Sequence, residues 1–162
     1  SLKSGLAISK SGRKLAESLN SPFVDSDEEI EKAAGLSVQE IFDKLGEPEF
    51  RRGERRVIER LLNGPPIVLA TGGGAFMDTA TRALMKARAT TVWLRADIDV
   101  IWKRVSRRDT RPLLKRDNPR QVLADLEAAR APVYAEADIV VDSGDGPATD
   151  AVKAIREALG FQ

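Results

Sequence analysis

Three stretches of the chain hold residues whose types and spacing could do chemistry. In "FVDSDEEI" (23–30), Asp25 and Asp27 stand two apart, where a short apolar segment gives way to polar residues. Residues two apart in extended chain point to the same side. Two carboxylates so placed can hold Mg²⁺, directly or through water, and can accept a proton from a hydroxyl. The plainer alternative is that Asp27 only caps the next helix. In "ATGGGAFMD" (70–78), Gly72, Gly73 and Gly74 follow an apolar run. Consecutive glycines cost backbone entropy and bury no side chain. A tight turn needs one or two of them. A third points to close approach by a ligand, either an anion on bare N–H groups or the face of a ring. The third set is arginine, in "EFRRGERR" (49–56), "KRVSRRDTRP" (103–112) and "ARAP" (129–132). Solvated helix faces account for most of these. Arg111 instead lies in a loop before Pro112, and Arg130 lies near a helix end before Pro132. A guanidinium is a planar fork that pairs bidentately with carboxylate or phosphate.

Composition narrows what these groups can do. The chain has no His and no Cys, which excludes an imidazole base, a Ser-His-Asp triad, thiolate chemistry and disulfides. Lys and Arg number 26 against 25 Asp and Glu, so there is no global pull toward nucleic acid or membrane. Any anion site must be a local cluster. No apolar run approaches the roughly 20 residues needed to cross a bilayer, and no secretory apolar region opens the chain. The reading is a cytoplasmic protein. A length of 162 residues with 42% hydrophobic and 31% charged residues suits one globular domain with one good core. No large apolar stripe is left over, so a monomer is expected.

The elements that must position these groups alternate. Helical patterns cover 12–20, 26–35, 37–46, 47–64, 78–87, 97–108, 119–137 and 150–160. Ser37 and Glu40 form a capping-box pair, Gly35 and Gly46 are stop signals, and Pro119 opens a helix after Asn118. Phe50, Val57, Leu61 and Leu62 mark the apolar stripe of the long helix. Apolar runs at 22–24, 66–71, 90–97 and 138–143 read as strands. Strands separated by helices imply right-handed crossovers, hence an α/β fold of three layers, α/β/α, around a central parallel sheet. Ligands bind beyond the carboxyl ends of such strands. Here those ends lead into "DSD", "TGGG", "RAD" and "SGDG".

The segments "FVDSDEEIEK", "GEPEFRRGE", "VLATGGGAF", "TRPLL" and "ARAPVYAEAD", in this order and spacing, resemble shikimate kinase. The likeness runs from about Gly12 to the C-terminus. It implies a P-loop NTPase fold of the nucleoside-monophosphate-kinase type, forming a single kinase domain over 1–162. The acceptor-binding region would cover about 25–62 and a lid about 106–117. The implied reaction moves the ATP γ-phosphate to the 3-hydroxyl of shikimate. Asp27 would meet the reacting hydroxyl, and Asp25 would orient Mg²⁺ through water. Arg51 and Arg130 would clamp the shikimate carboxylate, and Gly72, Gly73 and Gly74 would line its ring. Arg111 would reach from the lid to neutralise the phosphates, and Arg104 would flank the adenine. The loop "SGDGPAT" (143–149) would pack beside the base. Such a transfer depends on positioning and charge stabilisation, so the lack of His is no obstacle.

One family element does not occur in these residues. A P-loop needs G-x-x-x-x-G-K-[ST], and "SGLAISKSGRKL" (4–15) does not supply it. Ser9 falls at the aligned hydroxyl position and is the candidate metal ligand there. Three readings are open: residues of the natural chain not present in this sequence, an altered chain, or a relative with a degraded nucleotide site. The first is preferred because the other sites are intact. Two further alternatives to shikimate kinase are a gluconate-kinase-like enzyme and a non-catalytic acceptor-binding relative.

Overall fold

The computed structural model describes residues 9–106, 117–144 and 146–161, with Ser9, Lys10 and 104–106 described by backbone alone. In chain order these are α1 (Ser9–Ser18), β1 (Phe23–Asp25), α2 (Ser26–Ala34), α3 (Val38–Leu45), α4 (Glu47–Asn63) and β2 (Val68–Ala70). A 3₁₀ turn, Ala75–Met77, precedes α5 (Thr79–Arg88), β3 (Val92–Arg95) and α6 (Ile98–Ser106). The chain continues through α7 (Pro119–Tyr134), β4 (Ile139–Asp142) and α8 (Ala148–Ala158).

The α/β expectation holds, and every strand pairing is parallel. Among the described residues the strands form two pairs rather than one continuous sheet. β1 runs beside β2 with Phe23 opposite Val68 and Asp25 opposite Ala70. β3 runs beside β4 with Val92 opposite Ile139 and Arg95 opposite Asp142. Strand alternation explains how both faces are covered. Val68, Val92, Leu94 and Val141 join Leu15 of α1 and Val152 and Ile155 of α8 in one core. Leu69 and Trp93 point the other way, into a second core with Ile58 and Leu62 of α4, Phe76, Met85 of α5 and Tyr134 of α7. That is the three-layer arrangement. Val68, Leu69 and Val92 are at most 1% exposed, and full burial of such side chains stabilises by about 1.5–3 kcal/mol each.

A third, smaller core lies within 25–62. Ile30 of α2, Ile41 of α3, and Phe50 and Val57 of α4 close on one another, with Phe42 stacked 4.5 Å from Phe50. The local signals set these helices as the spacing predicts. Ser37 and Glu40 make the full capping box. Gly35 takes φ 68° as the C-cap of α2, and Gly46 takes φ 84° between α3 and α4. Such values suit glycine and strain other residues. No described helix is long and apolar enough to cross a membrane.

Candidate active site

Because each pair is parallel, Asp25 and Ala70 end together in one pair, and Arg95 and Asp142 end together in the other. Past β2, buried Thr71 leads into half-buried Gly72, Gly73 and Gly74. None of these three takes a positive φ. Among the described residues only Gly35, Gly46 and Gly160 do so among the glycines. Left-handed backbone therefore does not explain the triplet; at Gly73 and Gly74 the close approach of side chains does. A Cβ on Gly72 would lie 3.6 Å from both carboxylate oxygens of Asp27. On Gly73 it would lie 2.7 Å from Arg130 Nη1 and 3.2 Å from Tyr134 Oη. On Gly74 it would lie 2.8 Å from Arg51 Cζ, inside contact distance. Asp27, Arg51 and Arg130 thus reach one ribbon of bare main chain from three different helices.

The acidic corner differs from its sequence reading. Asp25, not Asp27, caps α2: its Oδ1 accepts from the Asp27 amide at 2.9 Å. Both carboxylates were expected to point together from extended chain. Instead β1 ends at Asp25 and α2 starts at Ser26, so Asp27 lies in the first helical turn. Its carboxylate faces Gly72. The strand end itself supplies the cap, two residues earlier than the acid run suggests.

Arg51 is held by a group that its own helix buries. Glu54, three residues on, is 1% exposed and accepts from Arg51 Nη1 at 2.7 Å. Residues three apart share a helix face. Burial pushes the Glu54 carboxyl above its usual value; Arg51 pulls it down, and Asp27 and Asp78 push it up again. A carboxyl that binds its proton more tightly when folded favours folding at low pH. That contribution is lost as pH rises through the raised value. Glu54→Gln cannot ionise, so its melting temperature is expected to fall less than the wild type's as pH climbs from about 4 to 8. The same variant leaves Arg51 with only the exposed Glu47, 3.6 Å from its Nε, as an anionic partner, and is expected to weaken acceptor binding several-fold. A wild-type pH slope in melting temperature would rule out buried Glu54 as the source.

Arg130 is half-buried on α7, one helical turn before Tyr134. Tyr134 is 4% exposed and donates its hydroxyl to the Gly73 carbonyl. Burial pushes the phenol up to about 12 against the pull of Arg130, so it stays protonated. Burial also raises the Glu127 carboxyl, and Arg130 opposes that rise. On the far side of the ribbon, Asp78 caps α5 through the Thr81 amide and accepts from Arg55 Nη2 at 3.0 Å. Burial pushes Asp78 up, but the bonds from Thr81 and Arg55 together hold it below its usual value.

Other expected residues are not tested by this geometry. Arg111 and most of the expected lid lie outside the described residues, as do the side chains of Arg104 and Ser9. Sequence reasoning missed Glu54 and Tyr134. Glu54 was legible as an acid three residues after Arg51, but the pair resembles an ordinary solvated one. Tyr134 follows Arg130 by four, a spacing that places both on one face.

The residues present suit Mg²⁺ held through water at the acidic corner, where two half-buried carboxylates stand at one strand edge. Asp25 has one oxygen engaged in the cap and a second available to a hydrated cation. No group of three or more potential metal ligands occurs among the described residues.

A sequence model of the family described as shikimate kinase matches residues 7–160. The shikimate kinase of Caulobacter vibrioides (strain NA1000 / CB15N) is 55% identical over 155 residues, covering 96% of this chain and 78% of that protein. The solved shikimate kinase of Acinetobacter baumannii, in complex with shikimate, superposes with a TM-score of 0.90 at 36% identity, covering 98% of this chain and 92% of that one. A gluconokinase from Sinorhizobium meliloti 1021 superposes with a TM-score of 0.63 at 19% identity over 99% of this chain and 91% of that one, a likeness of fold alone. A match over almost every residue, joined to a relative more than half identical, decides the matter: the chain belongs to the shikimate kinase family.

Proposed function

We propose that this shikimate-kinase-family chain is a single kinase domain that seats shikimate on the Gly72–Gly74 ribbon and directs its 3-hydroxyl toward ATP. One observation supports this most. Asp27, Arg51 and Arg130, from three helices, converge on the same three glycines: Asp27 touches Gly72, and a Cβ on Gly73 or Gly74 would displace the guanidinium of Arg130 or Arg51. Arg51 and Arg130 fork onto the acceptor carboxylate from opposite sides. Asp27 receives and orients the hydroxyl beside Gly72 and takes its proton as the hydroxyl oxygen bonds to the γ-phosphorus and the γ-phosphorus–oxygen bond to ADP breaks. The helical corner 25–62 is the acceptor-binding part. Asp25 would hold Mg²⁺ through water, and the cation would supply charge stabilisation to the phosphate. Arg111 and the 106–117 lid belong to the nucleotide side, together with Arg104 and Ser9. The reading carries with it a cytoplasmic monomer acting on a small molecule, without nucleic acid or membrane.

A coupled ADP-release assay with shikimate and gluconate as rival acceptors tests it. Turnover of shikimate alone is expected; equal turnover of both acceptors would break the assignment. A second reading is an acceptor-binding chain that does not use nucleotide. It rests on the absence of G-x-x-x-x-G-K-[ST] from the 162 residues. Calorimetric binding of shikimate without any ADP release would favour it.

A further inference from the structure

Tyr134 is packed as a core residue but carries a hydroxyl that packing does not need. Its ring meets Trp93 edge-on at 5.6 Å and Phe76 at 6.3 Å, in the core between β3, the 3₁₀ turn and α7. Phenylalanine would fill that space equally well. A buried hydroxyl without partners is costly, so its partners matter. Here they belong to the acceptor site: the hydroxyl donates to the Gly73 carbonyl, and a Cβ on Gly73 would meet that hydroxyl at 3.2 Å and Arg130 Nη1 at 2.7 Å, so Gly73 is flanked by both. At 4% exposure Tyr134 is too deep to meet a ligand itself. It can act only through the groups it holds.

We infer that Tyr134 is a positioning residue of the acceptor site, whose hydroxyl holds the Gly73 main chain against which the Arg130 guanidinium lies and so sets the width of the carboxylate cradle. The inference rests on the acceptor-site reading above. Its physical logic is division of labour. Trp93 and Phe76 fix the ring, the ring fixes the hydroxyl, and the hydroxyl fixes the wall of the cradle that Arg130 lies against. The phenol keeps its proton up to about pH 12, so the donor is present under any working condition. A free Arg130 has many rotamers, and ordering such a side chain on binding costs conformational entropy. Holding it beforehand removes part of that cost.

The test is nucleotide-free calorimetry on wild type, Tyr134→Phe and Arg130→Ala, with shikimate and with its methyl ester. Tyr134→Phe is expected to weaken shikimate binding about fivefold to tenfold, the range set by loss of one such hydrogen bond. It is expected to change methyl ester binding by less than twofold and to leave the melting temperature nearly unmoved, because the ring contacts persist. A second readout does not depend on any substitution. Tyr134 is the single tyrosine of the chain, so 3-fluorotyrosine labelling gives one fluorine resonance. Shikimate is expected to shift it, and the methyl ester to shift it far less. Wild-type shikimate affinity in Tyr134→Phe, equal losses with both ligands, or a resonance indifferent to shikimate each overturns the inference while the acceptor site stands. A wild type that binds no shikimate overturns the acceptor site and this inference with it.

Discussion

Asp27→Asn is expected to lower kcat about a hundredfold or more while shikimate affinity changes only a few-fold. Asparagine keeps the size of the side chain and leaves the backbone amide that Asp25 caps, so α2 still begins where it does. What disappears is the negative charge beside Gly72. A positioned proton acceptor contributes about 10²–10⁴-fold to rate. The phosphoryl donor supplies most of the driving force here, which puts the expectation at the lower end. The measurement is kcat at saturating acceptor, with the acceptor Kd from calorimetry in parallel. Equal losses in kcat and affinity would make Asp27 a binding group; unchanged turnover would take it out of the mechanism.

Arg130→Ala is expected to act on the other term. The acceptor KM should rise about a hundredfold, with the ATP KM within about twofold of wild type. Hydrogen bonds to charged groups contribute about 1.5–3 kcal/mol, and each 1.4 kcal/mol is tenfold in affinity. A bidentate pair in a half-buried place reaches the upper part of that range. The substitution costs little stability of its own, because Arg130 is half-buried and its charge is not part of any of the three cores. Steady-state kinetics with each substrate varied in turn gives the split. Matched rises in both KM values would contradict a clamp confined to the acceptor.

The parts of the fold that local chemistry determines were legible in the sequence. The Ser37–Glu40 box, the glycine stops at 35 and 46, and Pro119 at the head of α7 each fall where the residues put them. The long helix shows its stripe at Phe50, Val57 and Leu62, and also Ile58, which was missed in the sequence reading. The glycine triplet was legible as close approach, and the approaching groups are side chains of the chain itself. Long-range relations were not legible. Strand pairing depends on register across dozens of residues, and no local pattern announces that β1 lies beside β2 and β3 beside β4. Asp25 and Asp27 are both good caps, and the choice between them rests on where β1 ends. Glu54 is a charged residue on a helix rich in charge, and nothing in its neighbours marks it as the buried one. Residues 75–77, a separate 3₁₀ turn, left no periodic signal apart from the helix that follows.

The helical corner has its own core of Ile30, Ile41, Phe50 and Val57, and only α4 also sends residues, Ile58 and Leu62, deep into the main body. Arg51 is anchored on the corner side of that helix and Arg130 on the main body. A carboxylate gripped by both would act as a rivet between two separately packed pieces. Saturating shikimate is then expected to slow amide hydrogen exchange in α2 and α3 more than in α8, which lies on the opposite layer, so that the substrate itself completes the stiffness of its own binding site.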